Sequence, residues 1–258
     1  MEYAITAKEI GHDVVVFEKS ATLGGAMDWA GNYPNLPNME MLRNQPNYHR
    51  RMMEKWGVDV RFGVEATAEL IRAEEPDLVV IATGARAVLP EVPGLAAARQ
   101  SGFVLTIDEA LARSPQKKVG KSVIVCGAGE GGELALNLKL GGHEVRVLEA
   151  KPQYVPANYI GSRVYAIMGL MAHFGLGVET GKALVSVGAG TATFRSADGK
   201  DETVAGDTLI ICAGRAPNDE LASALRGAAF PVQVIGDAKT PRSYANAIHE
   251  AAYLARHI

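Results

Sequence analysis

Short apolar runs, separated by polar stretches rich in glycine or proline, set the layout of this chain. Residues 14–17, 78–82, 123–126 and 209–212 are runs of four or five apolar side chains. Runs of that length, bounded by turn residues, predict strands buried on both faces, as in a parallel sheet. Segments 144–149 and 232–235 carry the same pattern with a polar interruption. Helices are predicted over 4–9, 48–56, the stretch ending near residue 140, and 244–256. Strand segments are predicted at 59–62, 183–187, 191–195 and 202–204, with Asp198-Gly199 as a hairpin turn signal. Residues 20–46 read as irregular. Pro90, Pro93 and Gly94 mark a linker, because proline restricts itself and its predecessor to extended geometry. A second unit begins near Val104.

One pattern occurs twice. Gly11-His12-Asp13-Val14-Val15-Val16-Phe17-Glu18 aligns with Gly142-His143-Glu144-Val145-Arg146-Val147-Leu148-Glu149, each reading as a helix end, a turn and a buried strand closing on glutamate. The second copy is preceded by a strand at 122–126, the glycine turn Gly127-Ala128-Gly129-Glu130-Gly131-Gly132, and a helix. Projected onto the first copy, that layout puts a glycine turn at or just before Met1 and its feeding strand further upstream. The numbering is therefore expected to start inside a unit of a longer polypeptide, and the first sheet to lack a central strand.

Gly127, Gly129 and Gly132 satisfy G-x-G-x-x-G between a strand and a helix, the context in which that pattern carries meaning. The first two glycines permit a tight turn and close backbone approach to a pyrophosphate. The third lets the helix pack against the strand, and the helix N-terminus favours the anion. Glu149 follows 22 residues after Gly127. A carboxylate there accepts from the ribose hydroxyls of an adenosine and repels a 2′-phosphate, so NADH is favoured over NADPH, with Lys151 and Arg146 moderating the preference. Glu18 is the equivalent carboxylate for a second adenine dinucleotide, and Lys19 with the Leu23-Gly24-Gly25 turn suits a backbone passing a pyrophosphate. Thr83 and Gly84 end a strand at the carboxyl edge of a sheet, where open α/β folds bind ligands. Ile211-Cys212-Ala213-Gly214-Arg215 repeats that shape. Gly236-Asp237 follows the last strand. Asp237 reads either as a helix N-cap or as a partner of a flavin ribityl chain, with the helix N-terminus facing its phosphate.

Composition narrows the classes. The chain has 258 residues, 48% of them hydrophobic, and a net charge of −3, enough for one or two domains and without a cationic face for nucleic acid. No apolar run approaches the roughly 20 residues that span a bilayer, and no signal peptide is visible. No membrane association and a cytoplasmic location are expected. The two cysteines, Cys126 and Cys212, form no C-x-x-C pair and read as inert core thiols. His12, His143, His173 and His249 have no metal-ligand spacing. No catalytic acid, base or nucleophile is identified.

Taken together, Val16-Phe17-Glu18-Lys19 with Leu23-Gly24-Gly25, Ala82-Thr83-Gly84, Gly127 to Gly132, Ala213-Gly214-Arg215-Ala216-Pro217-Asn218 and Ile235-Gly236-Asp237-Ala238-Lys239-Thr240-Pro241-Arg242 resemble one known group. It is the C-terminal half of the 2,4-dienoyl-CoA reductase, 2-enoate reductase and trimethylamine dehydrogenase group, itself similar to pyridine-nucleotide disulfide reductases. The resemblance implies an α/β fold of two nested Rossmann-like dinucleotide-binding domains, the first strand of the FAD domain missing. An FAD-binding (or ADP-binding) domain over 1–97 and 206–258 would enclose an NAD(P)H-binding domain over 98–205. It implies further that Glu18 binds the adenosine ribose, Thr83 and Gly84 lie by the dinucleotide, and Asp237 contacts the ribityl chain. An N-terminal β/α barrel, in cis or as a separate subunit, would carry FMN and a four-iron (4Fe-4S) cluster. The implied activity is an FAD-dependent oxidoreductase module passing electrons from NAD(P)H to that barrel. As in trimethylamine dehydrogenase, a non-catalytic ADP-binding support is the alternative.

Overall fold

A computed structural model of the chain describes residues 1–112, 119–154 and 161–258. It forms two compact units: an outer one of Met1–Asp28, Met41–Arg86 and Arg215–Ile258, and an inserted one of Trp29–Glu40 and Ala87–Gly214. In chain order the strands are β1 (Val15–Glu18), β2 (Asp59–Phe62), β3 (Val79–Ile81), β4 (Ala85–Ala87), β5 (Val104–Thr106), β6 (Ser122–Cys126), β7 (Glu144–Glu149), β8 (Val178–Thr180), β9 (Lys182–Gly188), β10 (Thr191–Ser196), β11 (Asp201–Ala205), β12 (Thr208–Ile211), β13 (Arg215–Pro217) and β14 (Val232–Val234).

The inserted unit is built on a five-stranded sheet of order β5-β12-β6-β7-β8. Every pairing in it is parallel, which explains the continuous apolar runs: such strands are covered on both faces. One face packs against the antiparallel sheet β11-β10-β9, with Val187, Ala192, Phe194 and Val204 meeting Ile124, Leu148, Leu209 and Ile211. Phe194 is fully buried there, which contributes roughly 2–3 kcal/mol. The helix Gly131–Leu140 buries all of its residues from Gly131 to Leu138. A helix buried all round needs cover on both sides, and the segment Trp29–Glu40 belongs to this unit. Asn35 donates its backbone N–H to Asn137 Oδ1 at 2.9 Å and its side-chain amide to Asn137 O at 3.0 Å.

The sequence reading grouped residues 206–258 with the outer domain and 98–205 with the inserted one. β12 lies between β5 and β6 in the inserted sheet, so that unit extends to Gly214 and begins at Ala87. The Trp29–Glu40 segment offered no periodicity by which to assign it.

In the outer unit β1 pairs with β2 and β3 with β14, both in parallel. β4 pairs with β13. In the inserted unit the corresponding pairs, β7–β8 and β12–β5, flank β6. Among the described residues no strand of the outer unit stands in the place of β6. Two small cores result, one around Ala4, Ile5, Leu23 and Met53 and another around Ile71, Ile81, Leu225 and Ala238. The helix Asn44–Lys55 begins four residues earlier than expected. Pro46 does not stop it, since first-turn N–H groups have no helical partner to lose.

Among the described residues no helix is long and apolar enough to cross a membrane, and no group of three or more His, Cys, Asp or Glu is placed to hold a metal.

Candidate functional site

The glycine turn of the inserted unit is stitched to the strands around it. Gly127 donates its N–H to Leu148 O at 2.8 Å, and Gly132 starts the helix by donating to Ala128 O at 2.8 Å. Gly129 lies between them in the turn. Gly127 has φ +99°, and a Cβ built on it would stand 2.2 Å from Cys212 O. Only glycine fits that place, both for its left-handed backbone and for the carbonyl beside it.

Glu149 closes β7 with both oxygens organised by backbone. Oε2 accepts from Ala128 N–H at 2.8 Å, inside the glycine turn, and Oε1 from Lys151 N–H at 3.0 Å. The strand end and the turn, 21 residues apart, therefore form one site. Arg146 does not belong to it. Its guanidinium binds Glu179 at 2.8 and 2.7 Å and Glu202 at 2.8 Å, while Lys182 holds the other Glu202 oxygen at 2.7 Å. Arg146 is thereby paired with Glu179 and Glu202 and not with Glu149.

The Lys182 and Arg146 hydrogen bonds hold the Glu202 carboxyl down at about 2. A lowered value contributes stability above the ordinary carboxylate range that is lost as pH falls from roughly 4.5 towards 2. Because these side chains are about two-fifths exposed, the contribution stays below about 1 kcal/mol. Glu202→Gln is expected to shift the acid-unfolding midpoint by a few tenths of a pH unit, read by far-UV circular dichroism. An unchanged midpoint would remove the network from the stability of this unit.

Cys126 ends β6 and its thiol is pushed up to about 12, first by burial and then by Glu149. Cys212 is buried beside it, its N–H donating to Cys126 O at 2.7 Å. At pH 8 a Cys126 thiol is almost wholly protonated and a poor nucleophile. Iodoacetamide at that pH is expected to leave both cysteines of the folded chain unmodified over hours, by intact mass. Rapid alkylation would contradict it.

Tyr154 was missed in the sequence. Its hydroxyl lies against Gly132, 2.5 Å from where a Cβ would be, and burial, then Glu133 and Glu149, pushes it up to about 12. It keeps its proton at neutral pH.

In the outer unit Glu18 closes β1 as Glu149 closes β7. Glu18 Oε1 accepts from Ser20 N–H at 2.8 Å, the counterpart of the Lys151 contact. Lys19 is exposed. Gly24 and Gly25 open the short helix Ala26–Ala30. Arg50 pins that turn, its Nε donating to Leu23 O at 2.8 Å and its Nη2 pairing with Asp28.

The Thr83-Gly84 and Arg215-to-Asn218 motifs meet in space. Thr83 Oγ1 donates to Asn218 O, and Asn218 N–H donates to Gly84 O at 2.9 Å. Asn218 thus anchors the Thr83 turn across 135 residues, a role with no local signal. Gly214 ends the inserted unit and Arg215 opens β13 of the outer one.

Asp237 lies half-buried in the 3-10 turn Gly236–Ala238 and accepts from Arg242 N–H at 3.1 Å. It does not cap the helix Tyr244–Ala255. Ser243 does, through a reciprocal capping box with Asn246. Gly236 donates its N–H to Glu250 Oε2 at 2.8 Å. Burial pushes the Glu250 carboxyl up, but Arg242 and the Gly236 N–H together hold it below the usual range.

Two units with parallel strand pairs, each with a glutamate closing a parallel strand (Glu18 on β1, Glu149 on β7), have the architecture of an α/β module of the FAD/NAD(P)-binding type. Residues 1–240 match the family model described as pyridine nucleotide-disulphide oxidoreductase, and the chain belongs to that family. It is 30% identical over 240 residues to an NADH oxidase of Thermoanaerobacter brockii, covering 92% of this chain and 36% of the relative. It is 29% identical over 259 residues to a bilirubin reductase of Mediterraneibacter gnavus, covering 100% of this chain and 39% of the relative. Among solved structures it is similar to a 2-naphthoyl-CoA reductase in complex with 2-naphthoyl-CoA. That match has a TM-score of 0.86, 27% identity, and coverage of 100% of this chain and 38% of the other. The chain therefore spans under two-fifths of the length of these longer proteins, and the resemblance to the enoate reductase group holds.

Proposed function

We propose that the outer unit holds the adenosine end of FAD, the inserted unit holds NADH in preference to NADPH, and the two serve a redox module of an enoate reductase-like enzyme. The duplicated strand-end glutamate carries this reading: Glu149 and Glu18 are both fixed by backbone N–H groups two residues on. A ribose diol donates two hydrogen bonds to such a carboxylate, each worth about 1.5–3 kcal/mol because the acceptor is charged. Gly127 keeps the turn pressed against the chain leaving β12, where a Cβ would meet Cys212 O, and a turn free of side chains lets backbone approach a pyrophosphate.

The bound flavin would supply hydride acceptance from NADH and onward delivery of single electrons. The chain's residues do the rest. Gly127 and Gly129 let backbone N–H groups approach phosphate, and the N-terminus of Gly131–Leu140 adds its dipole. Asn218 holds Thr83 and Gly84 at the carboxyl edge of β3, and Arg242 holds Asp237 towards a polyol. Electrons would continue to FMN and an iron-sulfur cluster on a β/α barrel partner, to reduce an activated double bond.

Purified protein reconstituted with FAD and titrated anaerobically with NADH tests the proposal. Bleaching of the flavin band at ~450 nm by NADH supports it. A protein that binds ADP and stays colourless supports the structural-support reading instead.

A further inference from the structure

The offset that aligns Gly11 with Gly142 also carries Glu2 onto Glu133, so each repeat has a glutamate at the start of its first helix. Both are met by a base from a later helix. Arg163, on the helix Gly161–His173, donates its Nε to Glu133 Oε1 at 2.8 Å. His49, on the helix Asn44–Lys55, lies with Nε2 2.8 Å from Glu2 Oε2.

The outer unit takes the pair one step further. His49 Nδ1 is 3.2 Å from Tyr244 Oη, and the imidazole is 1% exposed. A carboxylate only accepts, so Nε2 carries the hydrogen, and in that tautomer Nδ1 accepts from the Tyr244 hydroxyl. Burial, then Glu2, pushes Tyr244 up to about 12, so it keeps the proton it donates. A guanidinium in this place could not accept that bond, which accounts for histidine here and arginine in the inserted unit.

Glu2 and Tyr244 are the first residues of their helices, Glu2–Glu9 and Tyr244–Ala255. One buried ring therefore joins the N-termini of the helix Glu2–Glu9 and of the helix Tyr244–Ala255, which follows Asp237. We propose that His49, held between Glu2 and Tyr244, is a positioning residue that fixes these two helix ends at the pyrophosphate of the outer unit's dinucleotide. The inference rests on the reading that this unit binds an adenine dinucleotide. His49 itself makes no bond to the ligand, since both ring nitrogens are occupied.

The test is calorimetric titration of ADP into the full chain carrying Glu149→Arg, which weakens the inserted unit's hold on an unphosphorylated adenosine ribose by about a hundredfold. Tyr244→Phe and His49→Ala are each expected to weaken ADP binding by about tenfold, the equivalent of one net hydrogen bond. Imidazole added to His49→Ala is expected to restore most of it. Nitrogen-15 spectra should show the Nε2-protonated tautomer for His49, and a loss of that preference in Tyr244→Phe. Unchanged ADP affinity in the folded fraction of both variants, with only a lowered melting temperature, would overturn the inference and leave the dinucleotide reading intact. If the parent does not bind ADP and Glu18→Ala changes nothing, the dinucleotide reading fails and takes the inference with it. Should His49→Ala not fold, Tyr244→Phe, which removes a single oxygen, decides the matter.

Discussion

Gly127→Ala is expected to abolish measurable NADH binding and to lower the melting temperature by of order 10 °C. Two costs add at that position. A non-glycine residue at φ +99° enters left-handed backbone at about 1–2 kcal/mol. The new Cβ would also stand 2.2 Å from Cys212 O and 2.8 Å from Cys212 C, both backbone atoms of the chain leaving β12. Relief requires moving either the glycine turn or the central strands, at about 1–3 kcal/mol. The turn carries Ala128, whose N–H organises Glu149, so a displacement there disrupts the ribose site as well. Differential scanning fluorimetry and titration of NADH fluorescence would check both effects. Wild-type affinity in the variant would mean that the turn does not face the nucleotide.

Glu149→Arg is expected to weaken NADH by about a hundredfold and to improve NADPH by about tenfold, changing the preference with little loss of fold. The loss comes from the ribose diol's two hydrogen bonds to a carboxylate, and the gain from a guanidinium that can pair with a 2′-phosphate. Arg146 will not mask the result, because Glu179 and Glu202 hold it away on the strand. Dissociation constants for the two nucleotides, measured alongside circular dichroism, provide the check. An unaltered ratio would place Glu149 outside the ribose site.

Much of this fold could be read from residues whose environment is local. β2 and β6 fall where the sequence put them, at 59–62 and 122–126, because an alternating segment (β2) or a short apolar run (β6) between turns has few other solutions. The Asp198-Gly199 hairpin holds too: Gly199 takes φ +82° between β10 and β11. Features created by distant pairing left no such trace. The three-residue strands β4 and β13 exist because two segments about 130 residues apart meet, and neither Ala85–Ala87 nor Arg215–Pro217 has a strand pattern of its own. The Asn218 anchor has the same origin. β8, Val178–Thr180, was missed because its three residues include a glutamate whose partner, Arg146, sits on another strand. The glycine turn was legible because residue type and spacing are both constrained where a strand turns tightly into a helix, and Glu149 proves to bond that turn at Ala128. Asp237 could not be separated from an N-cap until Ser243 was seen to hold that role.

The ends of the long insert lie side by side: Val88 donates its N–H to Gly214 O at 2.9 Å. A segment that leaves and returns at one point can be cut out, exchanged or circularly permuted with a short linker and little entropic penalty. Residues 87–214 are thus a portable cassette. Such a cassette would leave Trp29–Glu40 behind, and the amide groups on Asn137 that this segment engages would face water. A successful graft therefore has to bring that second, separate piece with it.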